Sequence, residues 1–595
     1  MEAHEKELMF LSLEGKVVIP FFQRTYVWNK ENWETLLEGL FNKEEGNFLG
    51  SIILKQLTSS SGEHKKLEVV DGQQRLTTLS ILIKALYDIF SKQIQNNSIG
   101  NVRNILFTQV SATSTDYFVK IEHSQVDKES YEKVINANMN GNPRLQLDNI
   151  DERSHKILQC YKYFYEALKE KGENERESLF NKMFSSNNKM LVVIDLVEGK
   201  DDEQAIFDTL NTAGVRLTTA EIIKNALYQK VIKVTKDKEK SYAIDLYKKT
   251  WEKTFLSDEE TVKYWETERQ TGRLTRDNTE ILLHSIAVIN GFFDPDKHVL
   301  SDLSKLYKVE IERRNSEAEL KEFIDEIIEY ANIYRDKFPS FDKSTLFSFG
   351  DPVIKLFHIL EVLELSTFHP FILYVFKNYR DDDPRIFEMF MNLEKFVVRR
   401  AIAQQEVKNY NKYCKEFINS PDIITEKLKE TAEQDISSGL RHISNKKASL
   451  LLFWIELHRR IEDRGYDIRE LKYNYSLEHI MPQKWDEFWK DIPKKYKEDG
   501  SIMNEEELKK DRGEKIYWIG NMTLLTSSLN SKLRNYPFEK KINGENRKKG
   551  IRSYAELSIT NDDIVIPFDK GEIVWDENRI IDRTKKLENE INLIW

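Results

Sequence analysis

Tyr475-Ser476-Leu477-Glu478-His479-Ile480-Met481-Pro482-Gln483, then Tyr517-Trp518-Ile519-Gly520-Asn521-Met522-Thr523-Leu524-Leu525, then Ser528-Leu529-Asn530-Ser531-Lys532 are the segments on which the reading of this chain turns. Two short apolar runs followed by a polar segment predict two strands and a helix. His479 then ends the first strand, Asn521 sits near the second, and Asn530 lies on the helix. Phosphodiester hydrolysis needs a base to activate water and a hard cation to neutralise charge developing on the phosphate. A neutral imidazole serves as that base near pH 7. A carboxylate and an amide oxygen suit Mg2+, which keeps several waters and takes few protein ligands. Glu478, His479 and Asn530 supply these parts. Neighbours in a strand point to opposite sides, so Glu478 and His479 reach one ion only if the backbone twists. Zinc is not expected, because no second His or Cys lies at ligand spacing here.

Positive charge gathers immediately downstream. From Ser531 to Arg552 there are eight basic residues against Glu539 and Glu545. Lys532, Arg534, Lys540 and Lys541 are the candidates for contact with nucleic-acid phosphates, and a solvated surface is the competing reading. The whole chain carries a formal net charge of −10. Phosphate neutralisation dominates non-specific affinity, so a protein that coats DNA indiscriminately is excluded and any DNA contact must be local.

The second informative segment is Val69-Val70-Asp71-Gly72-Gln73-Gln74-Arg75-Leu76. A strand, a glycine turn and a helix start present backbone N–H groups to an anion. Arg75 adds a fixed bidentate donor, and Asp71 is suited to orienting a metal or a water. The same residues also make a good capped turn, and the chemistry alone does not choose between the two. No P-loop signature is present. Tyr26, Trp28 and Trp33 are read first as core and second as a base-stacking surface.

Composition sets the frame. The chain has 595 residues, 40% hydrophobic and 32% charged, with only 22 Gly and 12 Pro. That suits a predominantly helical α+β protein of several domains. No apolar run is long enough for a transmembrane helix, the N-terminus lacks signal-peptide character, and two cysteines cannot form a disulfide framework. A cytoplasmic protein without membrane contact is expected. Strands are predicted at Lys16–Pro20, Phe48–Leu57, Leu67–Val70 and Met190–Val197. Helices are predicted at Glu31–Leu40, from about Leu76 to Phe90, at Glu203–Leu210 and at Thr219–Val231. Residues 240–470 read as mostly helical. The expected domains are 1–235, 236–450 and 451–595.

The C-terminal pattern, an acidic residue before His479, Ile-x-Pro after it, then Gly520-Asn521 and a second asparagine nine residues on, resembles the HNH or ββα-metal nuclease superfamily. Asn535-Tyr536-Pro537-Phe538-x-x-Lys541 is similar to the GmrSD-type branch. Asp71-Gly72-Gln73-Gln74-Arg75 resembles the ParB/sulfiredoxin-like domain of GmrSD-type restriction endonucleases. Ile19-Pro20-x-x-Gln23-Arg24-x-Tyr26-x-Trp28, Phe48-Leu49-Gly50-Ser51-Ile52, the Ile206 to Leu217 segment and Ile223-Lys224-Asn225 carry the same likeness. The resemblance implies His479 as general base, Glu478 and Asn530 as ligands of Mg2+ or another divalent metal such as Mn2+, and Asn521 as the clamp on the histidine loop. It implies a nucleotide site of Gln23, Arg24, Asp71, Gly72, Gln73, Gln74 and Arg75 for GTP, ATP or CTP, which it does not distinguish. Its implied target is modified phage DNA. An HNH site cuts one strand at a time, so double-strand cleavage would call for a homodimer or successive nicks. The rival readings are a nucleotide-dependent DNA-binding regulator with a non-catalytic HNH fold, and an RNA-targeting or non-specific nicking nuclease.

Overall fold

Short β-branched runs build one mixed sheet in the first part of the chain. Its strands are β1 (Glu2–Lys6), β2 (Lys16–Val18), β3 (Gly50–Leu57), β4 (Lys66–Asp71), β5 (Ile121–Glu122) and β6 (Leu191–Val197), in spatial order β1-β6-β3-β4-β2-β5. β3 runs parallel to β6 and antiparallel to β4, and β2 runs parallel to β4 and β5. This is a computed structural model, and it describes residues 2–42, 48–57, 65–90, 97–109, 116–139, 142–185, 188–197, 217–235, 241–271, 274–432, 436–463, 465–486, 489–490, 494–495, 501–533, 535–545, 548–571 and 574–595. The expected helix at 203–210, most of the 206–217 motif and Arg534 lie outside these residues.

Helix α1 (Gln73–Phe90) leaves the sheet directly after β4. Its residues are buried almost all round, including Leu76, Leu79, Ile81, Leu82, Ile83 and Leu86. A helix that is apolar on every face belongs in the interior. Each such side chain contributes about 1.5–3 kcal/mol on burial. The helix starts three residues earlier than its apolar pattern suggests, because the polar Gln73, Gln74 and Arg75 find partners inside the fold. Helix α2 (Gln125–Asn136) and helix α3 (Lys156–Glu170) complete this core, and α4 (Thr219–Val234) opens with a Thr218/Glu221 capping box.

The chain divides into two compact units, Met1–Tyr247 and Lys248–Trp595. The helical middle and the C-terminal segment, expected as separate domains, therefore fall within one unit. Long-range ties explain why. Helix α5 (Pro384–Ile402) and helix α6 (Asn445–Glu462) both bond to α7 (Glu577–Ile594): Arg399 donates to Asn592 at 3.1 Å, and Arg459 to Glu590 at 2.7 Å. Among the described residues no helix is long and apolar enough to cross a membrane.

Two histidines in this unit set an acid limit on stability. His358 and His369 are 3% and 8% exposed, and burial holds both imidazoles down to about 3. His358 Nδ1 accepts from Trp454 Nε1 at 3.2 Å, a bond only the neutral ring can accept. Their folded pKa lies below the unfolded value of about 6.5, so the unfolded chain binds more protons in between. Stability therefore falls as pH drops from about 6.5 towards 3, on the order of 2 kcal/mol per histidine by pH 5. Thermal melts at pH 7 and pH 5 test this, and an unchanged midpoint contradicts it.

Candidate functional site

The two C-terminal apolar runs form strands that pair. Strand β7 (Tyr475–His479) and strand β8 (Met522–Thr526) are antiparallel, with Glu478 opposite Thr523 and His479 opposite Met522. Helix α8 (Ser527–Leu533), which precedes α7 in the unit, follows β8 immediately and carries Asn530. Asn530 Nδ2 donates to the Leu477 carbonyl at 2.9 Å, fastening the helix to β7.

Asn521 is fully buried and every polar atom of its amide is used. Its Nδ2 donates to the carbonyls of Met481 (2.8 Å) and Ile516 (2.9 Å). Its Oδ1 accepts from the Met481 N–H at 2.9 Å and from Trp575 Nε1 at 3.0 Å. The Ile480 N–H donates to the Asn521 carbonyl at 2.9 Å. Asn521 thus ties down the turn that leaves His479.

His479 is half-buried, and among the described residues its buried Nε2 has no hydrogen-bond partner. Its ring lies 6.3 Å from the Tyr517 ring. Burial, with a smaller push from the nearby Lys541 charge, lowers the imidazole to about 4. At neutral pH the ring is uncharged and offers a nitrogen able to take a proton.

Strand alternation sends Glu478 elsewhere. Its carboxylate pairs with Lys541, whose Nζ also donates to the His479 carbonyl at 2.9 Å. Lys541 is 0% exposed, so the expectation that it contacts DNA phosphates at the surface is corrected. An ammonium this deep needs a carboxylate, and Glu478 provides it. Burial raises Glu478 and lowers Lys541, each opposed by the other's charge. Lys532 and Lys540 are exposed, and Lys540 bonds Glu545 at 2.7 Å.

Glu478 keeps one carboxylate oxygen beyond its bond to Lys541, on the strand side opposite to His479, and Asn530 keeps its amide oxygen once Nδ2 is spent. Among the described residues no group of three or more His, Cys, Asp or Glu is placed to hold a metal. A cation held by donors this few would have to keep most of its water, as Mg2+ or Mn2+ does.

Three supporting residues escaped the sequence reading. Arg583 Nη1 donates to the carbonyls of Gly520 (2.9 Å) and Met522 (2.5 Å), and its Nη2 to Ile559 at 2.9 Å. Thr584 Oγ1 accepts from the Gly520 N–H at 3.1 Å, and Trp575 completes the Asn521 amide. A Cβ on Gly520 would lie 2.2 Å from the Ile580 carbonyl oxygen, so the Gly of Gly520-Asn521 is there to let α7 come close. These partners come from distant sequence, and no local spacing signals them.

In the N-terminal unit, Gly72 has φ +90°, the left-handed region that suits glycine, and a Cβ there would press on Ser51 and Ile52. Gly50, at φ +107°, makes room for the Arg75 guanidinium, which donates to the Ser51 carbonyl at 2.6 Å. The glutamines are spent on backbone. Gln23 Nε2 donates to the Val69 carbonyl at 2.7 Å, Gln73 to Arg24 at 2.9 Å, and Gln74 to Thr25 at 2.9 Å, while Gln74 Oε1 accepts from the Val27 N–H at 2.8 Å. The motif staples the 23–27 loop to the start of α1. The amides of Gln23, Gln73 and Gln74 shape the turn, leaving Asp71, Arg24 and Arg75 as its charged groups. Tyr26 and Trp33 are core, both 3% exposed, with Trp33 Nε1 donating to the Tyr26 hydroxyl at 2.9 Å.

Comparison with known proteins follows this division. Residues 7–228 match the family model for the GmrSD restriction endonuclease N-terminal domain, and residues 423–589 match that for the GmrSD restriction endonuclease C-terminal domain. Both matches point to one class, the restriction endonucleases. The chain belongs to the GmrSD restriction endonuclease family. An uncharacterised protein of Methanocaldococcus jannaschii is 20% identical over 255 residues, 38% of this chain and 41% of that protein. The chain thus spans less than half the length of the curated relative it matches.

Proposed function

We propose that the chain is a metal-dependent endonuclease that hydrolyses phosphodiester bonds of modified phage DNA, under the control of a nucleoside triphosphate bound by its N-terminal unit. The observation that carries this reading is the neutral imidazole of His479, with an unpartnered buried Nε2, at the end of a strand pair clamped by Asn521. In this reading the C-terminal segment is an HNH, ββα-metal module and the N-terminal unit a ParB/sulfiredoxin-like domain. His479 accepts the proton of the attacking water. Asn521 fixes the loop so that the ring does not swing away. Glu478 and Asn530 would hold Mg2+ or Mn2+, which would neutralise charge developing on the phosphate. The exposed Lys532 and Lys540 contact the DNA backbone. Asp71, Arg24 and Arg75 face the nucleotide, on a turn shaped by Gln23, Gly72, Gln73 and Gln74.

The test is cleavage of unmodified and phage-modified DNA by the purified chain, in Mg2+ or EDTA, with and without GTP, ATP or CTP. Cutting confined to modified DNA, abolished by EDTA and altered by a nucleotide is the expected result. Cutting of every DNA would keep the nuclease and remove the sensing of modification. Failure to cut DNA or RNA under all these conditions overturns the proposal.

A further inference from the structure

Aromatic rings of the Lys248–Trp595 unit are packed into it with few exceptions. Among the described residues the exposed ones are Phe387, Tyr517 and Tyr554, and Tyr517 is 46% exposed. A single exposed ring is ordinary and carries no message by itself. Tyr517 differs in its neighbour, because its ring meets the His479 ring edge-on at 6.3 Å and 76°. Aromatic pairs attract each other at this distance and angle. The ring is therefore held beside the imidazole while much of its surface stays open.

The backbone fixes the ring in place. Helix Glu505–Lys515 ends just before it, and the Tyr517 N–H donates to the Glu514 carbonyl at 3.2 Å. Ile516, on one side, is 2% exposed, and its carbonyl accepts from Asn521 Nδ2 at 2.9 Å. Trp518, on the other, packs against the core that holds Ile480, Met481 and Leu525. The amide that ties down the turn after His479 thus also ties down the residue before Tyr517.

The next ring brings charge to the same row. The Arg441 guanidinium lies 5.0 Å from the Trp518 centroid and the Lys515 ammonium 5.4 Å. Lys515 is neutralised by its bond to Asp511, whereas Arg441 is exposed at the end of helix Ile436–Arg441. A cation, two rings and the candidate base therefore follow one another. Spacing decides what can lie on them. Successive phosphates of a stacked strand are about 3.4 Å apart along the axis. A ring 6.3 Å from the imidazole is thus within about two nucleotides of a phosphate attacked beside His479. Every base has a π-face, and stacking on an open ring asks for no particular sequence. A paired base inside a duplex has both faces covered, so the ring suits a base turned out of the stack or already single-stranded.

We propose that Tyr517 is a strand-docking residue of the candidate nuclease site, its ring receiving an unstacked nucleobase near the scissile phosphate while the Arg441 guanidinium meets a neighbouring phosphate. This rests on the nuclease reading above and adds to it the residues that hold the strand.

The test uses the full chain as wild type, Tyr517→Ala, Tyr517→Phe and Arg441→Gln. Binding to a single-stranded oligonucleotide and to the matching duplex is read by fluorescence anisotropy in EDTA, so that nothing is cut. Each protein is also melted, and single-turnover cleavage is followed in Mg2+ at saturating DNA. Tyr517→Ala is expected to weaken single-strand binding by about five- to a hundredfold, the worth of one base on a ring. Its melting temperature is expected to stay at the wild-type value, and Tyr517→Phe to keep most of the affinity. Arg441→Gln is expected to flatten the slope of log affinity against log salt by about 0.7, one single-strand phosphate contact. Unchanged single-strand affinity in Tyr517→Ala, or an unchanged salt slope in Arg441→Gln, overturns the proposal and leaves the nuclease reading standing. Equal losses in Tyr517→Phe and Tyr517→Ala overturn it by showing a bond to the hydroxyl in place of stacking. Slower cutting by Tyr517→Ala at unchanged affinity overturns it by making the ring a support for His479, and a lowered melting temperature by making it a packing residue. A wild-type protein that binds neither DNA overturns the nuclease reading, and this proposal with it.

Discussion

His479→Ala lowers the rate of DNA cleavage by about 10²–10⁴-fold, the usual worth of a positioned general base. With His479 as the proposed general base, the loss is expected in the chemical step, because such a base acts on a proton and contributes little to holding DNA. Folding is almost untouched: Nε2 has no partner to lose, and removing a buried titratable ring adds no unsatisfied group. The wild-type pH profile carries the same signature. A general base must be unprotonated, so activity disappears as pH falls through its folded pKa. Burial and Lys541 place that near 4, and the rate stays level down to about pH 5 where an ordinary histidine would have cost it by pH 6. Single-turnover cleavage by wild type and His479→Ala across pH 5 to 8 measures both. A variant that cuts within tenfold of wild type rules out His479 in this role.

Asn521→Ala destabilises the Lys248–Trp595 unit by about 3–5 kcal/mol, among the largest effects a single polar substitution produces. Four hydrogen bonds vanish at once, and the Met481 and Ile516 carbonyls, the Met481 N–H and Trp575 Nε1 are left in a dry interior. Each orphaned group costs about 1–3 kcal/mol, and shared relaxation keeps the total below the simple sum. Asn521→Asp separates shape from bonding. It fills the same volume but turns an oxygen towards two carbonyls, and it is expected to be no milder than Ala. Denaturant unfolding reads the difference, and a loss under about 1 kcal/mol in both variants contradicts the clamp.

Much of the fold is legible in the residues because it depends on local pattern. The runs Gly50–Leu57, Lys66–Asp71 and Leu191–Val197 are β-branched and form strands near where their composition places them. The Asn521 clamp and the position of Asn530 on a helix after the second strand follow from order along the chain. What escapes depends on distance or on facing. Lys541 looks like one member of a surface charge run, and only the fold shows that it points inwards to Glu478, 63 positions away. Gln73 and Gln74 look like ligand donors, yet the 24–27 backbone takes their amides. The two-unit division is hidden for the same reason: Arg399, Arg459 and Arg583 reach across long stretches of sequence to bond within a single body.

The contact between Gly520 and α7 bears on synthesis. Chains emerge from the ribosome N-terminus first and fold as units. β7 and β8 are made before α7, so the histidine strand pair is exposed to the cell without Thr584 against Gly520 and without Arg583 across the Gly520 and Met522 carbonyls. The surroundings of His479 are therefore completed late. A nascent chain that lacks α7 holds His479 on a strand pair without these backing bonds.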